Sequence, residues 1–311
     1  MGITINFLII SIILIFTLSV ASYLLRDKEN QLFRIKGTQE LLDRVNTWWI
    51  IILTLLFFLV IGTNATIVFF ALISYLAFKE YVSHLNARQS DRRIIFWAYI
   101  SIIPQYYFIA IEWFTMFLIW IPIYAFLFLP LRQVLIGETK GFIKNTASIQ
   151  WGLMLFVFLF SHIAYLVTFN RPNEDIIGVE LILYLLILTQ GNDVFQYIWG
   201  KKLGSIKIIP KVSPNKTVEG FIGGMVSTII LSMLLSFLTP FTLIETTIAG
   251  VIISIGGFFG DVVISSIKRD LGIKDFGSLL AGHGGINDRI DSLIYTAPLF
   301  FHYINYLYQI A

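Results

Sequence analysis

Apolar residues in this chain fall into long, nearly unbroken blocks that lack the polar stripe of a soluble surface helix. Blocks of this kind approach the roughly 20 residues needed to cross a bilayer as a helix. Hydropathy and the aromatic residues at block ends place ten spans, at 4–25, 47–62, 64–78, 94–111, 113–131, 151–169, 178–199, 220–238, 243–264 and 292–309. The second and third are short, and fit either tilted spans or a re-entrant pair. The pattern therefore predicts an all-α, polytopic membrane bundle of about ten transmembrane helices, with no room for a large soluble domain.

Composition agrees. Of 311 residues, 57% are hydrophobic and 13% charged, against about 25% charged in a soluble domain, and the mean hydropathy is +0.81. The distribution of charge adds topology. Of 22 Lys and Arg residues, 21 lie in the alternate connections 26–46, 79–93, 132–150, 200–219 and 265–291, and only Arg171 lies outside them. By the positive-inside rule those connections are cytoplasmic and both termini face outward, which suits a multi-pass protein of the cell membrane. The first block has no basic leader or small-residue cleavage site, so it is expected to stay as an anchor. With no cysteine, disulfides, thiolate metal sites and a cysteine nucleophile are excluded.

Residues 1–177 read as scaffold helices, and 178–311 as the region that carries chemistry. The segment 27–46 is charged and mildly amphipathic and is expected to ride the interface as a short helix. His162 and His302 read as lone intramembrane histidines bonded to neighbouring helices. His84 and the stretch 86–93 read as a solvated basic loop. Past residue 178, by contrast, acids enter the apolar blocks: Glu180, Asp193, Glu219 and Asp261. A carboxylate at that depth costs a few kcal/mol or more and requires a partner, a polar cavity or a metal.

The block LTQGNDVFQYIWG puts Gln190, Asp193, Tyr197 and Gly200 at helical spacing. Asp193 lies about 10 Å along the axis from Gly200, at 1.5 Å per residue, a depth suited equally to a polar cleft and to an interhelical hydrogen bond. The connection GKKLGSIKIIPKVSPNKTVEG gathers five lysines around two prolines, a positioned basic rim for a polyanion. Lys211, Ser213, Lys216, Thr217 and Glu219 offer ammonium, hydroxyl and carboxylate groups just where the next helix begins, and amides at a helix start favour phosphate.

Asp261, Ser265 and Lys268 follow at i, i+4 and i+7, one face of a helix if it continues past the span. Gly282, Gly284 and Gly285 surround His283, and glycines let backbone amides turn toward phosphate oxygens. In NDRIDS, Asn287 is a candidate N-cap, with Asp288 and Asp291 on one face and Arg289 beside them. Asp261 and Asp288 thus come from the ends of consecutive spans. Together they form a candidate Mg²⁺ site that leaves positions for water and phosphate oxygens.

The ordered series of serine, Lys268-Arg269, Lys274-Asp275, Gly277, Gly282-His283-Gly284-Gly285 and Asp288-Arg289-Ile290-Asp291 resembles the signature of the CDP-diacylglycerol synthases, or phosphatidate cytidylyltransferases. NDVFQYIWGKKLG and KVSPNKTVEG resemble that family's second conserved region, so the likeness covers about 190–292. It implies transfer of CMP from CTP to phosphatidic acid, giving CDP-diacylglycerol and pyrophosphate for phospholipid biosynthesis, with Mg²⁺. For some members it also implies a monovalent cation (K⁺) in a two-metal centre, and a homodimer. On this reading Asp261 and Asp288 hold the metal. Lys216, Lys268, Arg269 and Arg289 balance the triphosphate and the lipid headgroup, and His283 orients a phosphate or moves a proton. The site sits at the cytoplasmic face of the bilayer, and no nucleic acid is expected as a partner. Two rivals remain open on residues alone: a CTP-dependent transferase for another acceptor, such as an ether-lipid phosphate or isoprenoid alcohol, and an ion-coupled transporter using Asp193, Glu219 and Asp261.

Overall fold

The computed structural model describes residues 37–85, 88, 91–135, 137, 139–169, 178–277 and 284–308. The expected span 4–25 lies outside the described residues. Helix α1 (Gly37–Ile61) leads through Gly62 into α2 (Thr63–Ser83). Phe58 and Phe69 stack across this junction with centroids 4.9 Å apart. Along one continuous helix they would lie about 16 Å apart, so the chain folds back at Gly62. Residues 37–46 run straight into α1, so this part of the expected interfacial segment extends the span helix.

Next come α3 (Arg92–Ile100) and α4 (Ile102–Ala110), then α5 (Phe114–Ile119) and α6 (Phe126–Val134) joined by a π-helical turn, Trp120–Ala125. A second π-helical turn, Met154–Leu159, joins α7 (Phe142–Leu153) to α8 (Phe160–Leu166), and the two wide turns pack together. The carboxyl-terminal half comprises α9 (Gly178–Leu203), the strands β1 (Lys207–Ile209) and β2 (Ser213–Thr217), α10 (Val218–Leu234), α11 (Leu243–Asp270), the short α12 (Asn287–Ile290) and α13 (Leu293–Tyr308). The strands pair antiparallel, Lys207 opposite Thr217 and Ile209 opposite Ser213.

Five helical stretches among the described residues are long and apolar enough to cross a membrane: Thr63–Ser83, Phe114–Val134, Phe142–Leu166, Gly178–Leu203 and Leu243–Asp270. Trp49–Ile61 and Val218–Leu234 are shorter apolar helices. The protein is thus a helical, multi-pass membrane protein, and the hairpin is its one departure from all-α architecture among the described residues.

In an apolar solvent the hydrophobic effect does little to hold helices together, so buried polar contacts and close packing do more of the work. The Asn192 Oδ1 on α9 accepts from Thr228 Oγ1 of α10 at 3.1 Å and from Ser254 Oγ of α11 at 3.0 Å. Tyr184 OH and Ser232 Oγ lie 2.6 Å apart, and Ser232 donates to the Thr246 carbonyl. Thr189 donates to Thr296 of α13 at 3.1 Å, and Gln105 Nε2 donates to Ser161 Oγ and to the Phe117 carbonyl. The two intramembrane histidines are not lone. Their ring centroids are 5.2 Å apart, and the His162 ring lies among Phe117, Phe158 and Phe301.

The connection ahead of α3 is built around a buried acid instead of being solvated throughout. Asp91 accepts from Arg88 N, Nε and Nη2, from Asn145 Nδ2 at 2.7 Å and from Gln133 Nε2. Burial alone would raise its pKa, but the Arg88 and Asn145 hydrogen bonds outweigh that and hold it below the usual carboxylate value. The resulting stability is fully present above the ordinary carboxylate pKa and is lost as pH falls through the lowered one. Asp91→Asn should therefore destabilise the protein by about 1.5–3 kcal/mol at neutral pH, the range for hydrogen bonds to a charged group. The difference from wild type should shrink on acidification, read as thermal midpoints of solubilised protein across pH.

Candidate active site

The site gathers where α9, α10, α11 and the start of α13 pack together. Thr217 ends β2 and caps α10, its hydroxyl accepting from Gly220 N at 3.1 Å. One residue earlier, Lys216 is held at the end of a strand. Its Nζ lies 2.6 Å from Asp261 Oδ2 and over the Phe258 ring, 4.8 Å from the centroid. Helix α11 starts with a capping box between Thr242 and Glu245. It runs on to Asp270, so Asp261, Ser265 and Lys268 do share a face.

Along that face Ser265 Oγ donates to Asp261 Oδ1 at 3.1 Å. Lys268 Nζ reaches Asp288 Oδ1 at 3.0 Å, a pair whose side chains are only 11% and 6% exposed. The other Asp288 oxygen accepts from two backbone amides, Phe276 N at 3.0 Å and Gly285 N at 2.9 Å. Gly284 has φ +78, and an added Cβ would meet Asp288 Oδ2 at 2.8 Å, so this position needs glycine on both counts.

Deeper in the bundle, Asp193 Oδ2 accepts from Ser292 Oγ at 2.8 Å, while its Oδ1 is buried without a hydrogen-bond partner. Asp193 and Asp291 lie near enough to Asp261 to interact with its charge; Lys216 and Arg289 offset Asp193, and Lys268 offsets Asp291. The assembly is thus four aspartates interleaved with two lysines and an arginine.

Its fit to a divalent metal follows from the donors. Hard carboxylate oxygens suit Mg²⁺, and the unpartnered Asp193 oxygen marks acid that the bases do not fully satisfy. Among the described residues no three His, Asp or Glu side chains converge as a ready ligand set. Asp261 Oδ2 and Asp288 Oδ1 instead meet ammonium groups. A cation bound here would have to take those oxygens over from Lys216 and Lys268.

Comparison with known proteins places this arrangement. The profile of the cytidylyltransferase family matches residues 42–307. The chain belongs to the cytidylyltransferase family. It is accordingly a CTP-using nucleotidyltransferase, which removes the transporter reading. Over 266 residues it is 44% identical to an uncharacterized protein, YnbB, of Escherichia coli (strain K12), covering 85% of this chain and 87% of that protein. It is 41% identical over 124 residues to phosphatidate cytidylyltransferase of Staphylococcus aureus (strain COL), and 41% over 121 residues to that of Aquifex aeolicus (strain VF5). Those matches cover 39% and 38% of this chain and span about half of the two enzymes, 48% and 46%.

Within this cytidylyltransferase, the residues expected in the site divide. Asp193, Lys216, Asp261, Ser265, Lys268, Gly284, Gly285, Asp288, Arg289 and Asp291 come together as described. Arg269 points to the hairpin turn, Nε donating to the Val212 carbonyl and Nη1 to that of Ile273, both at 3.4 Å. Lys211 is exposed and Ser213 half-buried on the hairpin. Thr217 is consumed as a cap, and Glu219 holds the preceding turn by accepting from Ser205 Oγ and Ile206 N. Tyr197 is 66% exposed, with Lys201 over its ring, and does not join Asp193. Asn287 is not the cap of α12: Ile286 takes that position, and Asn287 Nδ2 donates to the Ala77 carbonyl of α2 at 2.9 Å. His283 lies outside the described residues.

The sequence reading missed Glu80 and His84 at the end of α2. Glu80 accepts from Ile286 N and Asn287 N at 3.3 and 2.8 Å, and His84 Nε2 meets the Phe276 carbonyl. The available signal was an acid inside a stretch otherwise read as scaffold. The close approach of α11 to the start of α13 supplies a test. An added Cβ at Gly260 would lie 2.7 Å from the Asp291 carbonyl oxygen and 3.1 Å from that of Ser292. Gly260→Ala should push Asp261 away from Asp291 and reduce cytidylyl transfer at least tenfold while leaving membrane insertion intact, as measured by activity per inserted protein.

Proposed function

We propose that this enzyme is a phosphatidate cytidylyltransferase: it joins CTP to phosphatidic acid, giving CDP-diacylglycerol and pyrophosphate. The observation that carries the reading is the interleaving of Asp193, Asp261, Asp288 and Asp291 with Lys216, Lys268 and Arg289 at the end of a membrane bundle. Such a set accommodates a polyphosphate, a cation and an anionic lipid headgroup together. The two named relatives, each a phosphatidate cytidylyltransferase, support the choice of acceptor.

A phosphatidate oxygen attacks the α-phosphorus of CTP, and the bond to the β-phosphate oxygen breaks in line to release pyrophosphate. The attacking group is already an anion near neutral pH, so no protein nucleophile and no strong base are needed. Asp261 and Asp288 would hold Mg²⁺, and the ion would supply neutralisation of the phosphates' negative charge. Lys216 and Lys268 turn from these acids to the phosphates, and Arg289 binds further anionic oxygens. Ser265 keeps Asp261 oriented, and the amides of Phe276 and Gly285 keep Asp288 oriented. The positive-inside pattern supports a site at the cytoplasmic face, where CTP is dissolved and the lipid phosphate lies at the headgroup layer.

Purified protein in lipid should incorporate label from CTP into a lipid product when given phosphatidic acid and Mg²⁺, and far less with ATP. Label appearing only with an isoprenoid alcohol or an ether-lipid phosphate would move the acceptor, and no label with any acceptor would sink the reading. Lys216→Ala should raise the CTP concentration for half-maximal rate about tenfold or more, given the few kcal/mol at stake when a charged partner of phosphate is removed. Asp288→Asn should lower Mg²⁺-dependent turnover by about a hundredfold or more, measured with the same assay.

A further inference from the structure

The backbone that holds Asp288 Oδ2 is itself fixed from two directions, and both lead back to α2. That oxygen is clasped by the amides of Phe276 and Gly285, which lie on opposite sides of residues 278–283 in the sequence. The carbonyl of Phe276 meets His84 Nε2. On the other side, the amides of Ile286 and Asn287, directly after Gly285, donate to the Glu80 carboxylate, and the Asn287 side chain donates to the Ala77 carbonyl. Both backbone donors to the catalytic acid are thus fixed by α2, within one residue of the bonds they make to Asp288.

Packing supports the same contact. A Cβ at Gly277 or Gly285 would overlap Glu80 Oε1, so glycine at both positions makes room for this carboxylate. Phe276 is 2% exposed, with its ring 5.9 Å from that of His84 and 6.2 Å from that of Phe156. Tyr81, next to Glu80, donates to the Ser148 carbonyl of α7 at 2.9 Å, which fixes this end of α2 against the rest of the amino-terminal half. The partners of Glu80 here are backbone amides, so it responds to the path of the chain around Asp288 and not to the side chains of the signature.

We infer that Glu80, assisted by His84, is a positioning residue of the active site: α2 sets the backbone that orients Asp288, and so the amino-terminal half takes part in cytidylyl transfer. The inference rests on the reading of Asp288 as a catalytic acid. Removing Glu80 should loosen the backbone donors without removing a group that binds nucleotide, so the effect should fall on turnover and not on CTP binding.

The test compares Glu80→Ala, Glu80→Gln and His84→Ala with wild type in lipid nanodiscs, by two readouts. Hydrogen exchange at the amides of Ile286 and Asn287 should speed up at least tenfold in Glu80→Ala, while peptides from α9 and α11 exchange as in wild type. In the transfer assay, kcat should drop at least tenfold with the KM for CTP within about threefold of wild type. Glu80→Gln, which keeps one acceptor oxygen, should recover part of both. Should Glu80→Ala not fold, the glutamine and His84 variants carry the same comparison. Wild-type exchange at 286–287 in Glu80→Ala would overturn the contact. Faster exchange with unchanged kcat, or a loss confined to KM, would overturn the positioning role. An inactive wild type would instead refute the proposed reaction, and the exchange readout would still decide whether α2 holds this backbone.

Discussion

A carboxylate at the edge of an apolar bundle is stable only if something offsets its charge, and the layout of the carboxyl-terminal half follows from that constraint. Helix α11 is the centre of the arrangement. It presents Asp261 to Lys216, at the junction of β2 and α10, and two turns later it presents Lys268 to Asp288, at the start of α12. Seven residues of helix separate these partners by about 10 Å. The two ion pairs therefore fasten the chain before α10 and the chain after residue 284 to one rigid rod. Asn192 fastens α9 to α10 and α11 with neutral hydrogen bonds, leaving its neighbour Asp193 turned toward the acids.

The helices were legible because each apolar block had to satisfy its own backbone in a solvent without water. From residue 47 onward, the predicted spans coincide with helices over most of their length. Their ends shifted for identifiable reasons. α11 runs six residues past its predicted end because Ser265, Lys268 and their neighbours are polar yet still helical, with partners waiting for them. The π-helical turns at 120–125 and 154–159 carry no periodic signature, since their register answers to each other's packing. The hairpin at 207–217 read as a plain connection because Pro210 and Pro214 interrupt any alternation of apolar positions.

The site was legible to the extent that its members are close in sequence. Asp261, Ser265 and Lys268 share a helical face, and Asp288 to Asp291 form one short run, so spacing alone groups them. Contacts over long sequence separations leave no such trace. Glu80 meets Ile286 across 206 positions, and nothing in the stretch FKEYVSHL marks which segment its acid will face. Thr217 shows the converse limit: a hydroxyl in a signature read as substrate-binding is taken up by the N-terminus of the next helix.

The same charges constrain the order of events on the proposed reaction. Lys216 and Lys268 each neutralise an acid in the structure, and on the proposed reaction each would also meet a phosphate. A polyphosphate that drew both ammonium groups away would leave Arg289 alone to offset the four aspartates of the cluster, in a setting where the repulsion among Asp193, Asp261 and Asp291 is weakly screened. A metal alone would take from the two lysines the acids that neutralise them. On the proposed reaction, nucleotide and divalent cation arriving together would resolve both problems, because the phosphates would take the lysines while the cation took the acids. Charge balance in this cluster would thus favour the metal–nucleotide complex over either component, and occupancy of the site would be linked to the rearrangement of two ion pairs that also hold α11 to its neighbours.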